Sequence, residues 1–243
     1  MSKKNLMLRY RSAGRPVRVF VNGFLVVNDL EGEGSGTRLE PYVQPGPNRV
    51  RIDARAAPEA VVGVQVVLVP DDGGPGEMPL MSLQHPSPGP LQLASGVVEQ
   101  AFEIPGGVTP WAWTQLQPVP PAAEPGLPPF LQGLARLLAQ GPDAELLRLL
   151  SYKHGEVGAA LGIGKAAMDQ GLARGLAARR QEPDFRVELV PAAELVPVWS
   201  PDRRIVRPMR RDGRDAIQMT VGGMTSGFEL SLGFHQNQWL VLR

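Results

Sequence analysis

A run of arginines in the last quarter of the chain is its strongest chemical feature. Guanidinium groups bind carboxylates and phosphates through paired hydrogen bonds, so a local cluster of them indicates a surface for an acidic ligand. Aspartates are interleaved with these arginines, which equally fits a solvated hairpin whose charges neutralise one another. Aromatic residues on which single-stranded nucleic acid would stack are missing from the run. We therefore predict an acidic protein partner, and not nucleic acid, for Arg203, Arg204, Arg207, Arg210 and Arg211.

Two tryptophans, Trp111 and Trp113, are added to this predicted partner surface. They share one face if their segment is a strand, because alternate residues of a strand point to the same side. Exposed tryptophans anchor protein interfaces, whereas buried ones fill cores. Both alternatives stay open for this pair, and a third is that the pair clasps the two halves of the chain together. Trp239 is predicted to lie in a core.

A glycine-rich segment, Gly162 to Lys165, invites comparison with phosphate-binding loops. A Walker-type loop needs an earlier glycine and a serine or threonine after its lysine. Alanine occupies both positions, at Ala159 and Ala166. A dinucleotide-binding loop needs a strand immediately before it, and the preceding segment is helical in pattern. We interpret the segment as a turn between two helices, the first ending at Gly162.

The histidines and the aspartates near the arginines also lack catalytic or metal-binding spacing. The histidines have no partner four residues away, which is typical of surface or loop residues. The aspartates alternate with arginines, which indicates ion-paired hairpin tips and not two carboxylates for acid–base catalysis. We therefore predict no catalytic residue, no metal and no cofactor. The residues concerned are His85, His154 and His235, and Asp202, Asp212 and Asp215.

Composition and charge narrow the class of protein. The formal net charge of +1 indicates neither a nucleic-acid binder nor a membrane-surface binder. The chain has no cysteine, which excludes disulfides, thiolate metal sites and a cysteine nucleophile. Arg9 and Arg11 interrupt the first apolar stretch, so no signal peptide is recognised, and no apolar run is long enough to cross a bilayer. These observations predict a cytoplasmic protein.

Short strands that alternate with Gly- and Pro-rich turns dominate the first half of the sequence. Asn22-Gly23 lies between two β-rich segments, which is the strongest short-range indication of a hairpin. Residues 45–48 form a second turn, and the segment after it alternates apolar and charged residues up to Asp53. Further strands are predicted over 61–69, 97–104 and 111–116, with a loop over 78–90. We predict an antiparallel β-sandwich over residues 1–116.

A proline-rich segment over residues 117–129 is predicted to be a linker between two units, because proline blocks both helices and inner strands. Leucines then recur at helical spacing, and a later helix is predicted over 165–180. Alternating segments follow, including 196–199, 204–210, 216–221 and 228–232. The fold class is therefore α+β, with the sandwich followed by helices packed on an antiparallel sheet over residues 130–243.

The two halves resemble two known groups of proteins. Val19–Gly23 and Pro45–Ile52 resemble the hairpin and the strand start of galactose-binding-like β-sandwich modules. That resemblance implies a sandwich fold and a general capacity to bind a ligand or a protein, and it assigns no functional residue. The element order over 130–243 is similar to the NTF2-like group, which implies a cone with an apolar pocket. A fold-level likeness does not select a function.

Three hypotheses about function follow from these patterns. The first is a non-catalytic protein-binding adaptor, with an accessory role for a secreted bacterial effector or an immunity role against a toxin as its two specific forms. The second is an enzyme or small-ligand carrier using an NTF2-like pocket. The third is carbohydrate binding by aromatic residues on the sandwich, at Phe24 and Tyr42. The candidate lining residues of the pocket are Tyr152, His154, Asp184 and Trp199.

Overall fold

The computed structural model divides the chain into two compact units, Met1–Pro110 and Trp111–Arg243. It describes residues 4–12, 17–29, 36–70, 76–87, 92–94, 96–104 and 111–243. In the described residues the first unit is built from strands, and the second contains α-helices followed by strands. This arrangement confirms the predicted α+β class. No helix in the described ranges combines the length and apolar character needed to cross a membrane.

The first unit is a sandwich of two antiparallel sheets around one apolar core. In the described residues, one sheet has the order β4-β1-β6-β7 and the other has the order β3-β2-β5-β9-β8. Alternate residues of β5, such as Val50 and Ile52, are fully buried between the sheets. The strands are β1 Lys4–Ser12, β2 Val17–Val21, β3 Phe24–Asp29, β4 Gly36–Arg38, β5 Gly46–Asp53, β6 Val62–Pro70, β7 Met78–His85, β8 Gln92–Ala94 and β9 Val97–Ile104.

Two turn motifs of the sandwich are tied together by asparagine side chains. Asn22 has φ 50° and Gly23 has φ 88°, the left-handed pair that a tight hairpin turn between β2 and β3 requires. The Nδ2 atom of Asn22 donates to Oδ1 of Asn48 over 2.7 Å. Asn48 is buried and donates to the carbonyls of Gln44 and Gly46. Both motifs therefore have a structural role, because they fix the register of the sheet.

Two segments of this region differ from the prediction. The predicted loop over 78–90 contains the strand β7, in which Met81 and Leu83 point into the core. Pro79 concealed this strand in the sequence, but β7 lies at an edge of its sheet, where proline is tolerated. The predicted strand over 111–116 is wrong, because Ala112–Gln115 is a 3-10 helix.

Helices followed by two antiparallel sheets form the described part of the second unit. The sheet orders are β10-β13-β14 and β11-β12-β15-β16. The leucines of α1 and the inward side chains of both sheets share one core. The elements are α1 Leu127–Gln140, α2 Asp143–Leu149, α3 Ser151–Leu161, α4 Gly164–Arg179, β10 Arg186–Leu189, β11 Leu195–Trp199, β12 Val206–Arg210, β13 Ile217–Val221, β14 Met224–Gly227, β15 Leu232–His235 and β16 Gln238–Val241.

The proline-rich segment over 117–129 lies inside the second unit. Val119 and Leu127 are buried in its core, between them runs a 3-10 helix over Pro121–Gly126, and α1 follows. Proline in the first turn of α1 costs no hydrogen bond, because the first N–H groups of a helix have no intrahelical acceptor. The contact pattern thus divides the chain before this segment, at Pro110, and not within it.

The glycine-rich segment at 162–165 is a helix–helix turn, as predicted. Gly162 follows α3 with φ 70° and Gly164 begins α4. A Cβ atom on Gly158 would lie 2.7 Å from the carbonyl carbon of Gly164, so the two helices approach too closely there for any side chain.

Candidate functional site

The strand β12 divides the predicted arginine cluster into two groups. Arg203 and Arg204 lie in the turn before β12, whereas Arg210 ends the strand and Arg211 follows it. A strand advances about 3.3 Å per residue, so the five residues of β12 separate the groups by roughly 16 Å. The arginines therefore form two separate surfaces and not one continuous patch.

The first group is carried by a rigid turn between β11 and β12. Asp202 accepts hydrogen bonds from the hydroxyl of Ser200 over 2.6 Å and from Nε of Arg204 over 2.6 Å. Burial raises the pKa of Asp202, but these hydrogen bonds outweigh it, and the net pKa lies below the usual value. The hydroxyl of Ser200 also accepts from the backbone N–H of Ile205 over 3.0 Å. The turn is thus closed by its own side chains.

Arg203 is the most unusual residue of this turn. Its φ of 57° lies in the left-handed region, which costs energy for a residue other than glycine. Its guanidinium carbon lies 4.4 Å from the centre of the Trp199 ring, and the same group is paired with Glu124. The side chain remains 44% exposed. The turn therefore holds an accessible guanidinium group against an aromatic ring in one orientation.

The second group borders an open depression at the other end of β12. Arg210 lies 3.7 Å from Glu194 and 3.3 Å from Asp212. The side-chain hydrogen bond from Arg214 is the main cause that lowers the pKa of Asp212 to about 2. Arg211 donates to the carbonyl of Ala193 over 3.4 Å. The depression, of about 580 Å³, is lined by Ala193, Glu194, Arg211 and Asp212.

Arg207 belongs to neither group. Only 12% of its side chain is exposed, and it lies 2.9 Å from Asp215 and 3.0 Å from Glu229. Nζ of Lys153 donates to the backbone carbonyl of Glu229 over 3.2 Å and lies 5.2 Å from the Phe228 ring centre. Arg207 is thus part of a network of charged groups, and little of its side chain is accessible to a partner.

Lys153 is the functional candidate that sequence reasoning missed. Burial lowers the pKa of Lys153 to about 8, the Glu229 carboxylate opposes this shift, and the nearby Arg243 and Arg207 guanidinium groups add to it. A lysine with this pKa is partly neutral near pH 8 and more nucleophilic than an exposed lysine. The groups that surround Lys153 are distant from it in the sequence, so a single lysine in a helical segment gives no indication of its lowered pKa.

The two tryptophans of the predicted surface are buried. Trp111 is 8% exposed and Trp113 is 4% exposed. The Arg243 guanidinium carbon lies 5.9 Å from the Trp111 ring centre. This burial leaves little of either ring for a partner to contact. Trp239, predicted to lie in a core, is packed in the core of the second unit.

Ion pairs within the chain neutralise most of the arginine cluster. Asp202, Asp212 and Asp215 are each paired with an arginine, as predicted for hairpin tips. Glu124, Glu194 and Glu229 provide the remaining carboxylates. A partner carboxylate therefore has to compete with one already present, and the geometry of the arginines matters more than their summed charge.

Two of the three histidines are buried, contrary to the prediction. Nδ1 of His154 lies 2.6 Å from Asp169, which Lys165 also contacts over 2.5 Å. Nε2 of His85 lies 3.0 Å from the carbonyl of Pro58, and His235 is exposed. Within the described ranges no three His, Cys, Asp or Glu residues form a group suited to a metal ion.

The predicted pocket residues make separate contacts. Asp184 accepts from the N–H groups of Gly222 and Gly223, over 3.0 and 2.6 Å, whereas Trp199 stacks under Arg203. Tyr152 is exposed and His154 is buried. No hydrogen bond or ring contact joins any two of these four in the described part of the chain. On the sandwich, Phe24 is fully buried and packs edge-on against Tyr42, so its ring has no face for a sugar.

No protein-family model matches this chain, and no curated protein or solved structure matches it. The resemblances to galactose-binding-like modules and to the NTF2-like group therefore stay predictions.

Proposed function

We propose that this protein is a non-catalytic adaptor that binds an acidic protein through the turn between β11 and β12. We call this surface the Arg203 tip, and define it as Glu124, Trp199, Asp202, Arg203 and Arg204. The observation that supports the proposal is the stacking of Arg203 on Trp199 from a left-handed backbone conformation. The backbone cost of that conformation favours a role for the orientation of this guanidinium group.

Arginine and tryptophan are the residue types that contribute most to protein interfaces. A stacked guanidinium group loses little side-chain entropy when a partner binds, because its orientation is already fixed. Its planar donors suit a carboxylate, and a partner carboxylate replaces or joins Glu124 at Arg203. Arg204 adds a second guanidinium group at the same turn, and 33% of its side chain is exposed.

The test is affinity purification of the tagged full chain from native lysate, with Arg203→Glu beside the wild type. The matched control is Arg214→Glu, which makes the same change of charge at the far end of β12 on an exposed side chain. We expect one stoichiometric protein with the wild type and with the control, and its loss with Arg203→Glu. A partner that Arg203→Glu retains, or the lack of any specific partner, contradicts the proposal.

Arg203→Lys separates geometry from charge at the same position. Lysine keeps the positive charge and loses the planar, stacked donor set. We expect binding at least about tenfold weaker than for the wild type, which corresponds to about 1.4 kcal/mol. Equal binding by the lysine variant would show that the positive charge at position 203, and not the stacked geometry of the guanidinium group, determines binding.

A further inference from the structure

In the part of the chain that the structure describes, the strand β14 forms an open edge of the sheet β10-β13-β14. All four of its residues, Met224–Gly227, are exposed, and Met224 is 74% exposed. Exposed edges in proteins are usually protected by charged side chains, proline or a bulge. β14 has none of these: its sequence is Met-Thr-Ser-Gly, and its pairing with β13 is regular.

The hairpin of β13 and β14 presents this edge in a fixed conformation. Gly222 and Gly223, at the turn, have φ of 57° and 75°, and the Asp184 carboxylate accepts from both of their N–H groups. Four consecutive residues of β13 are buried, so the strand that supports the edge is held on both faces. Gly227 packs so closely on Asp215 that a Cβ atom there would lie 2.2 Å from a carboxylate oxygen.

The register shows which backbone groups face outward. Val221 pairs with Met224 across the two-residue turn, and Met219 pairs with Ser226. The N–H of Phe228 donates to the carbonyl of Ile217 over 2.9 Å, so these two residues form a hydrogen-bonded pair. Hydrogen-bonded and non-hydrogen-bonded pairs alternate along the two strands from that position. Thr225 and Gly227 therefore lie in the non-hydrogen-bonded pairs and direct their N–H and C=O groups away from β13.

We infer that β14 pairs antiparallel with β14 of a second copy of this chain and so joins the two β10-β13-β14 sheets. With Ser226 on the twofold axis, Thr225 lies opposite Gly227 of the second copy. Both residues direct a donor and an acceptor outward, so the symmetric arrangement forms four hydrogen bonds and leaves none of these groups unmatched.

The side chains and charges of the edge suit this twofold pairing. Met224 lies opposite Phe228 of the second copy, which places two apolar side chains on the same face. No charged residue lies within β14, so no like charges meet at the axis. Glu229, the first charge beyond it, is neutralised by Arg207 at 3.0 Å. An edge of four residues buries far less than the usual interface of about 1,600 Å², so we expect a concentration-dependent dimer.

A single cysteine tests the register, because the chain has no cysteine of its own. In the non-hydrogen-bonded pair at the axis, the two Cα atoms of residue 226 lie about 4.5 Å apart, within disulfide range. We expect Ser226→Cys to form disulfide-linked dimers ~10-fold faster under mild oxidation than Gln170→Cys, an exposed control on α4. Equal rates overturn the inference.

Sedimentation equilibrium tests the hydrogen bonds. Thr225→Pro removes one outward N–H from each copy and leaves the hydrogen bonds between β13 and β14 intact. Thr225→Val is the control, because it keeps that N–H and removes only the hydroxyl group that is hydrogen-bonded to Thr220. We expect a reversible dimer of the wild type that Thr225→Pro weakens by about tenfold or more and Thr225→Val by much less. A wild type that is monomeric up to about 1 mM overturns the inference whether or not the Arg203 tip binds a partner.

Discussion

The ammonium group of Lys153 lies in an electrostatic environment that few surface lysines share. It is close to the guanidinium groups of Arg207 and Arg243, and it donates a hydrogen bond to the carbonyl of Glu229. Arg243 is itself paired with Glu156 over 2.7 Å. This combination of burial and neighbouring cations makes the charged form of Lys153 less stable in the folded chain than in the unfolded one.

The pH dependence of stability should therefore carry the titration of Lys153. The unfolded lysine binds its proton up to about pH 10.5, whereas the folded one loses it near pH 8. Between these values the unfolded state holds more protons, so this group makes the free energy of unfolding rise with pH. We expect urea unfolding of the wild type to show this rise from pH 8 to pH 10, and Lys153→Gln to lack it.

A direct measurement checks the same pKa without unfolding. The chain has only four lysines, Lys3, Lys4, Lys153 and Lys165, so carbon NMR of the lysine side chains is simple to assign. The resonance that disappears in Lys153→Gln should titrate near pH 8. A midpoint near 10.5 for that resonance would contradict the burial of the Lys153 ammonium group.

Sequence reasoning identified the residue types of the arginine cluster but not their surroundings. The aspartates interleaved with the arginines correctly indicated a hairpin tip at Asp202, whose side chain closes the turn through hydrogen bonds with Ser200 and Arg204. The partner of Arg203 is Glu124, separated from it by 79 positions, and local spacing does not encode such a contact. For the same reason Arg207 could not be distinguished from its exposed neighbours.

At the scale of elements, the end of α4 is fastened to α1 and α2 by Arg180. Its Nη2 atom donates to the carbonyl of Leu137 over 2.8 Å, and its Nε atom donates to that of Leu138 over 3.2 Å. These carbonyls belong to the last turn of α1. That of Leu137 also accepts from the N–H of Gly141, whereas the residue four positions after Leu138 is Pro142, which has no N–H to donate. Nη1 of Arg180 also pairs with Asp143, in the first turn of α2, over 2.6 Å.

Removal of this contact should destabilise the second unit. Arg180→Met keeps much of the aliphatic stem and removes the guanidinium donor from the Leu138 carbonyl and the Asp143 carboxylate, while the Leu137 carbonyl keeps the N–H of Gly141. We expect the free energy of unfolding to fall by about 2 kcal/mol, the usual effect of losing charged hydrogen bonds. Urea unfolding followed by tryptophan fluorescence measures it. Arg179→Met, at the exposed neighbouring position, is the control and should change stability by less than about 0.5 kcal/mol. Equal losses in the two variants would contradict the role of Arg180.

Elements with a strong period were predicted well, and those without one were missed. The leucines of α1 and the alternation of β5 give clear patterns, and both elements occur. The helix predicted over 165–180 also occurs, as α4, although its apolar residues form only a weak stripe. β7 was predicted as a loop because it contains proline, which an edge strand tolerates. The segment at 112–115 was predicted as a strand from its tryptophans, but it is a 3-10 helix.

At the scale of the whole molecule, each unit has a hydrophobic core of its own. The core of the first unit contains described residues up to Phe102, and that of the second begins at Val119. The density of proline predicts a boundary over residues 117–129, whereas the two compact units meet at Pro110. The sequence could not show that the proline-rich segment belongs to the second unit, because that depends on Val119 and Leu127 packing against distant strands.

Separate cores predict that the second unit folds without the first. All four tryptophans, at positions 111, 113, 199 and 239, lie in the second unit, so fluorescence reports on that unit alone. Far-ultraviolet circular dichroism reports on both units. We expect a fragment over 111–243 to unfold in urea with the same fluorescence midpoint as the full chain. The full chain should also show a circular dichroism transition that does not coincide with its fluorescence transition. An unfolded fragment, or a midpoint that falls when the first unit is removed, would mean that the second core depends on the first unit for its stability.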